Sequence, residues 1–153
     1  MGIKVRRHIR RATEGRTYEV VGPAWKRRKD EKLGVFRYPI EVRSPDGRLS
    51  ETFEAIVDTG ATFTVVPASV LRRLGVKPRQ EIKVRLANGV VVDRGVGDTF
   101  VRIDDATIPT IVIFGDEAAP VLLGAYTLEA ALLAVDPVRK RLVPTEALLM
   151  AWV

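Results

Sequence analysis

From Leu33 onward the chain settles into short runs rich in β-branched and aromatic residues, divided by turn residues, and this texture is the main guide to its fold. LGVFRYPIEVR reads as a strand, SPDG (44–47) puts Pro and Gly where a tight turn wants them, and RLSETFEAIVD follows as a second strand ending at Asp58. Past Gly60, residues 61–66 favour strand again. PASVLRRLGV reads as a short helix, with Pro67 near its start, Arg72 and Arg73 in its last turn and Gly75 as a left-handed stop. EIKVRLANGVVVDRGVGDTFVRI holds two extended runs around Asn88-Gly89, a strong hairpin signal. ATIPTIVIFGD (106–116) is a further strand, apolar on both faces near its end. PVLLGAYTLEAALLAVDPVRKRLVP then reads as strand, Gly124, a short helix from about Tyr126 to Ala131, strand, turn and strand. There is no internal duplication. The pattern predicts a mainly β fold, a small closed or partly closed β-barrel with one or two short helices.

Residues 1–32 show no sustained period of 2 or 3.6, and WKRRKDEK reads as a solvated, mobile stretch. The expected organisation is a basic, flexible arm over 1–32 and one domain over 33–153. Charge follows the same division. Residues 1–30 carry ten Lys or Arg against Glu14, Glu19 and Asp30, a net of +7; the rest of the chain holds 15 basic and 16 acidic residues, a net of −1. The arm has three readings: a solubilising extension, an anchor for nucleic acid or an acidic partner through Arg6, Arg7, Arg10, Arg11 and Lys26 to Lys29, or a cleavable leader. Tyr18 and Trp25 offer stacking surfaces, yet no nucleic-acid-binding motif frames them.

The chain's 153 residues suit a single core and are too few for a two-lobed enzyme. No apolar run reaches the roughly 18 residues of a membrane span, and the basic start lacks the apolar core of a secretory signal. Absence of cysteine removes disulfides and thiol chemistry, and agrees with a reducing, cytoplasmic setting. His8 is the only histidine, so one chain can build neither a Ser-His-Asp triad nor a histidine zinc site. Asp104-Asp105 and Asp116-Glu117 lack the spaced oxygen ligands of a calcium loop, so no metal or other cofactor is expected. Any chemistry must come from carboxyl groups.

Asp58-Thr59-Gly60 is the candidate. Ile56 and Val57 lead the chain out of the core and Gly60 permits a tight bend, which leaves a carboxyl at a strand-to-loop junction, backed by sheet and open on one side. A structural aspartate, satisfied by backbone amides in a strand-end turn, would use the same residues.

IVDTGATFTVVP, the hairpin around LANGVV, and VLLGAYTLEAALL followed by AVDPVRKRLVP together resemble the retropepsin-type aspartic peptidases, the single-domain kind found in retroviruses and in cellular genomes. The resemblance spans most of residues 33–145 and stops short of the arm. It implies a homodimer, since only one Asp-Thr-Gly is present and the second catalytic aspartate must come from another copy. Two carboxyls about 3 Å apart cannot both ionise and share one proton, the established behaviour of the aspartic-protease pair. The resemblance casts Asp58 as half of that pair and Thr59 as a hydrogen-bonding link across the dimer. Gly60 gives close approach, with an amide able to donate to Asp58. Ala61 joins Ala87, Asn88 and Gly89 of a flap tip in binding an extended peptide or protein substrate, while Leu122, Leu123 and Gly124 serve as support. Three positions depart from the family pattern. Ala125 stands where retroviral enzymes carry an Arg that ties the dimer together. The tip Asn88-Gly89 is poorer in glycine, implying a stiffer flap. Ala61 replaces a Ser whose hydroxyl could stabilise an ionised carboxyl, implying an activity optimum nearer neutral pH. The alternative is an inactive dimerisation or peptide-binding module with the same fold. The apolar ending ALLMAWV is expected to cover the dimer or to pack beneath the barrel.

Overall fold

The computed structural model describes residues 35–149 in full, and residues 6–12 and 15–21 as backbone. In chain order the elements are β1 (Arg6–Ala12), β2 (Gly15–Val21), β3 (Arg37–Arg43), β4 (Ser50–Val57), β5 (Thr64–Pro67), α1 (Ala68–Arg73), β6 (Gln80–Arg85), β7 (Val91–Ile103), β8 (Ala106–Gly115), β9 (Leu122–Leu123), α2 (Ala125–Ala130), β10 (Leu133–Asp136) and β11 (Arg141–Pro144). The protein is mainly β with two short helices, as the pattern of its residues predicts.

Seven strands form one sheet in the order β3-β4-β9-β5-β8-β7-β6. β3 also pairs with β7, Val42 opposite Val101, so the sheet closes on itself. β7 makes this possible by its length. Val96 to Ile103 pair with β8, whereas Val91 to Val96 pair with β6, so β6 and the start of β7 project as a two-stranded ribbon. The turns that set this register carry glycines in the left-handed region, Gly47 (φ 75°) between β3 and β4 and Gly89 (φ 85°) between β6 and β7. Two parallel pairings, β4 with β9 and β5 with β8, join segments far apart in sequence.

The core lies inside this closed sheet. Tyr38, Ile40 and Val42 of β3 alternate inward with Ala55 and Val57 of β4 and with Val66, Val101, Ile103, Val112 and Leu123, while Leu71, Leu128 and Leu142 bring in α1, α2 and β11. Burying one such Val, Leu or Ile side chain contributes about 1.5–3 kcal/mol relative to leaving it in water. α1 ends as its sequence implies, with Arg72 and Arg73 in the last turn and Gly75 at φ 74°. α2 begins at Ala125, one residue before the expected start.

Two segments differ from the sequence reading. Residues 6–12 and 15–21, which lack a clear alternation, form a hairpin, and β2 continues onto β11 through Thr17 opposite Arg141 and Arg16 opposite Leu142. β1, β2, β11 and β10 thus make a second, four-stranded sheet. WKRRKDEK lies outside the described residues. At the other end, Leu148 and Leu149 are 85% and 91% exposed, so they do not pack beneath the sheet; residues 150–153 lie outside the described residues.

Candidate active site

β4 delivers the candidate carboxyl to the surface. Ala55, Ile56 and Val57 are buried, Asp58 is half-buried, and Thr59 and Gly60 are exposed. Backbone bonds fix the exit point: Val57 N donates to Phe36 O at 2.9 Å and Asp58 N to Leu123 O at 3.0 Å. Ala61 N then donates to Asp58 O at 3.2 Å, closing a turn over Asp58-Thr59-Gly60-Ala61. Inside that turn Gly60 N donates to Asp58 Oδ1 at 2.9 Å, the local bond by which short acidic side chains brace a bend. Among the described residues nothing hydrogen-bonds Oδ2 of Asp58 or the hydroxyl of Thr59. A Cβ at position 60 would stand 3.1 Å from Asp58 Oδ1, so a side chain there would press on the carboxyl.

Support comes from the Leu-Leu-Gly segment. β9 lies between β4, Val57 opposite Leu123, and β5, Val65 opposite Leu122. Gly124 then crosses so close to the backbone of Phe63 and Thr64 that no side chain fits. Beyond the crossing, Ala125 N donates to Ala61 O at 2.8 Å and Tyr126 N to Thr62 O at 3.0 Å, which stitches the first turn of α2 to the Asp58 loop. The rings of Phe63 and Tyr126 meet edge to face, 5.8 Å between centroids.

Asp58, Thr59, Gly60 and Ala61 therefore share one loop, whereas Ala87, Asn88 and Gly89 sit at the tip of the β6–β7 ribbon. Among the described residues no hydrogen bond joins the two. The tip is largely satisfied within itself. Gly89 N donates to Leu86 O at 2.9 Å and Leu86 N to Val90 O at 2.8 Å, Val90 N donates to Asn88 Oδ1 at 3.0 Å, and Arg85 Nη1 donates to Gly89 O at 3.1 Å. Gly89 thus serves the turn, and Ala87 and Asn88 hold the tip amides left without a partner among the described residues.

A groove of about 350 Å³ lies elsewhere, lined by Ala68, Arg72, Arg94, Phe114, Asp116 and Glu117, and Asp58 is not part of it. Its acidic groups at 116 and 117 are held: Arg94 Nη2 donates to Asp116 Oδ1 at 2.9 Å, and the Ser69 hydroxyl and amide both donate to Glu117. The Ser69 hydroxyl, then its amide, holds the Glu117 carboxyl below the ordinary glutamate range. Groove and candidate carboxyl are separate features. No group of three or more His, Asp or Glu residues able to hold a metal occurs among the described residues, and none of their helices is long and apolar enough to cross a membrane.

One set of residues escaped the sequence reading. Thr64, Thr110 and Thr127 are buried and bond to one another through their hydroxyls. They are separated by 63 and 17 positions along the chain, and no local spacing could have grouped them.

A closed β structure in which the buried end of β4 runs into Asp-Thr-Gly, propped by an apolar-apolar-Gly crossing, defines an aspartic-protease-like fold. The chain belongs to the family described as "gag-polyprotein putative aspartyl protease", whose model matches residues 49–130, just over half of its length and all of the Asp58 loop, ribbon and crossing. It is also similar to the solution structure of simian foamy virus (mac) protease, at 19% identity and a TM-score of 0.45, over 61% of this chain and 91% of that one. No curated protein matches it.

Proposed function

We propose that this protein is an aspartic endopeptidase that cleaves extended polypeptides with water activated by Asp58 and the Asp58 of a second copy. The observation that carries the reading is the Asp58 turn: Gly60 N holds one carboxyl oxygen at 2.9 Å, the rest of the tip is exposed, and the surrounding segment belongs to an aspartyl-protease family. A single carboxyl can take a proton or give one, but amide hydrolysis needs both at once, so a second copy is required.

With one proton shared by the pair, the ionised carboxyl takes a proton from water as its oxygen attacks the scissile carbonyl carbon, and the protonated carboxyl gives its proton to the carbonyl oxygen. Collapse of the tetrahedral diol re-forms the carbonyl and breaks the C–N bond. The leaving nitrogen takes a proton from one carboxyl, the other recovers the diol's proton, and the pair returns to its single shared proton. The exposed Thr59 hydroxyl is available to bond across the twofold axis, and the Ala87 and Asn88 amides are the donors the ribbon offers to a strand-like substrate.

A structural aspartate would make the same bond to Gly60, so Asp58→Asn is the deciding variant. The peptidase reading expects cleavage of a peptide library to vanish while sedimentation still shows the dimer; unchanged cleavage would sink it. Contact of the basic arm with nucleic acid is a separate reading, favoured by the net +7 of residues 1–30. It expects salt-dependent retention on nucleic acid to be lost when those residues are deleted.

A further inference from the structure

The peptide unit between Leu123 and Gly124 is held at both ends, and the two groups that hold it bracket the candidate catalytic loop. Its carbonyl accepts Asp58 N–H at 3.0 Å, and its N–H donates to Thr64 Oγ1 at 3.2 Å. Asp58 follows the last residue of β4 and Thr64 is the first of β5, so one rigid peptide plane spans the base of the loop that presents the carboxyl.

The Thr64 hydroxyl is not an independent anchor. It lies 2.6 Å from Thr127 Oγ1, and Thr127 Oγ1 lies 2.8 Å from Thr110 Oγ1. Thr64 and Thr127 are 0% exposed and Thr110 4%. The three come from β5, α2 and β8, three elements that meet only in the folded chain. A buried hydroxyl without a partner is costly, and Thr127 is the one member bonded to both others. Removing its hydroxyl takes a partner from Thr64 and from Thr110 at once, and leaves Thr64 with the Gly124 amide alone. Thr64 then loses the bond that orients it toward Gly124, and the peptide that carries Asp58 loses one of its two fixed ends.

We propose that Thr127 is a positioning residue, which sets through Thr64 the Leu123–Gly124 peptide and so the angle at which Asp58 meets its counterpart. The kinetic half of this rests on the peptidase reading; the structural half does not. Thr127 touches neither substrate nor the reacting carboxyls, so its effect must pass through that peptide.

The test compares Thr127→Val, which keeps shape and removes the hydroxyl, with Thr127→Ser, which keeps the hydroxyl, in the full-length chain below the unfolding temperature. Two readouts are taken: amide hydrogen exchange at Gly124 and Asp58 against remote strand amides such as Val101, and kcat, KM and the pH–rate profile on a peptide that the native protein cleaves. Thr127→Val is expected to speed exchange at Gly124 and Asp58 at least tenfold while Val101 stays unchanged, to lower kcat at least tenfold with KM within twofold, and to displace the pH profile. Thr127→Ser is expected to restore all three. Exchange rising equally at every amide, or activity falling only in proportion to the unfolded fraction, would overturn the proposal and leave Thr127 as core packing. If the native protein cleaves no peptide, the peptidase reading fails and the exchange arm alone still decides the structural claim. Should Thr127→Val not fold, Thr110→Val, which removes only the outer hydroxyl, is expected to accelerate Gly124 exchange selectively; an unchanged Gly124 there would also overturn it.

Discussion

Replacing Gly124 by alanine adds one methyl group at the tightest point of the fold. Gly124 has φ −88° and ψ 170°, a conformation open to any residue, so the backbone itself carries no strain and the whole effect is contact. The added Cβ would stand 2.8 Å from Thr64 N, against the 3.4 Å at which ordinary contact begins, and nearer still to the Phe63 carbonyl group. These neighbours are backbone atoms where the Asp58 loop enters β5 and cannot swing aside as a side-chain end would. Overpacking of this kind costs about 1–3 kcal/mol, and with only backbone able to yield we expect the upper end, about 3 kcal/mol, which for a chain of this size lowers Tm by about 6–12 °C. Gly75→Ala is the control. Nothing lies within 4 Å of its would-be Cβ, but its φ is +74°, so its cost is conformational alone, about 1–2 kcal/mol. Thermal unfolding at one fixed protein concentration, since self-association would make Tm depend on concentration, should rank Gly124→Ala clearly below Gly75→Ala. Gly124→Ala should also lose cleavage activity at temperatures where it remains folded. A Gly124→Ala protein that melts with the native one and cleaves normally would refute the claim that this crossing positions the loop.

Three further outcomes are expected. Because Ser69 depresses the folded-state pKa of Glu117, the bond stabilises the protein above the ordinary glutamate range and is lost as pH falls through the depressed value. Glu117→Gln should therefore lower Tm at neutral pH, with the gap to the native protein closing in acid below pH about 4.3; a gap that stays constant with pH would contradict this. Gly89→Ala, at φ +85° with open space around it, should cost about 1–2 kcal/mol of local strain and lower kcat/KM more than it lowers Tm, as steady-state kinetics beside thermal unfolding would show. Deleting residues 148–153, which include the exposed Leu148 and Leu149, should shift sedimentation toward monomer, and an unchanged dimer would remove this segment from the interface.

What could be read from the residues alone was local. The turns at Gly47, Gly75 and Gly89 and the start of α1 at Pro67 are set by short-range chemistry, and all sit where the residues imply. The Asp58 loop was legible for the same reason: a buried run, an acid and a glycine within five residues. The parallel pairings of β4 with β9 and β5 with β8 were not legible, because their partners lie dozens of residues apart and no periodicity encodes them. The threonine cluster was hidden likewise. The hairpin of β1 and β2 was missed because arginines in RRHIRRA mask any alternation, although TYEVV in β2 carries the β-branched and aromatic content that could have flagged it. At the ribbon tip, Ala87, Asn88 and Gly89 share one turn, but which of its backbone groups are taken up depends on side chains: Asn88 Oδ1 accepts from the Val90 amide and Arg85 donates to the Gly89 carbonyl.

The central claim, that Asp58 works only with its counterpart from a second copy, is tested most directly by subunit mixing. Native protein is dissociated, re-equilibrated with an equal amount of Asp58→Asn and assayed at saturating total concentration. If the active unit needs one Asp58 from each copy, random pairing leaves about half of the cleavage rate of the native protein alone, and the rate keeps falling as more Asp58→Asn is added. A rate that stays at the native value whatever the excess of Asp58→Asn would mean that each copy acts by itself, and the shared-proton mechanism would be wrong.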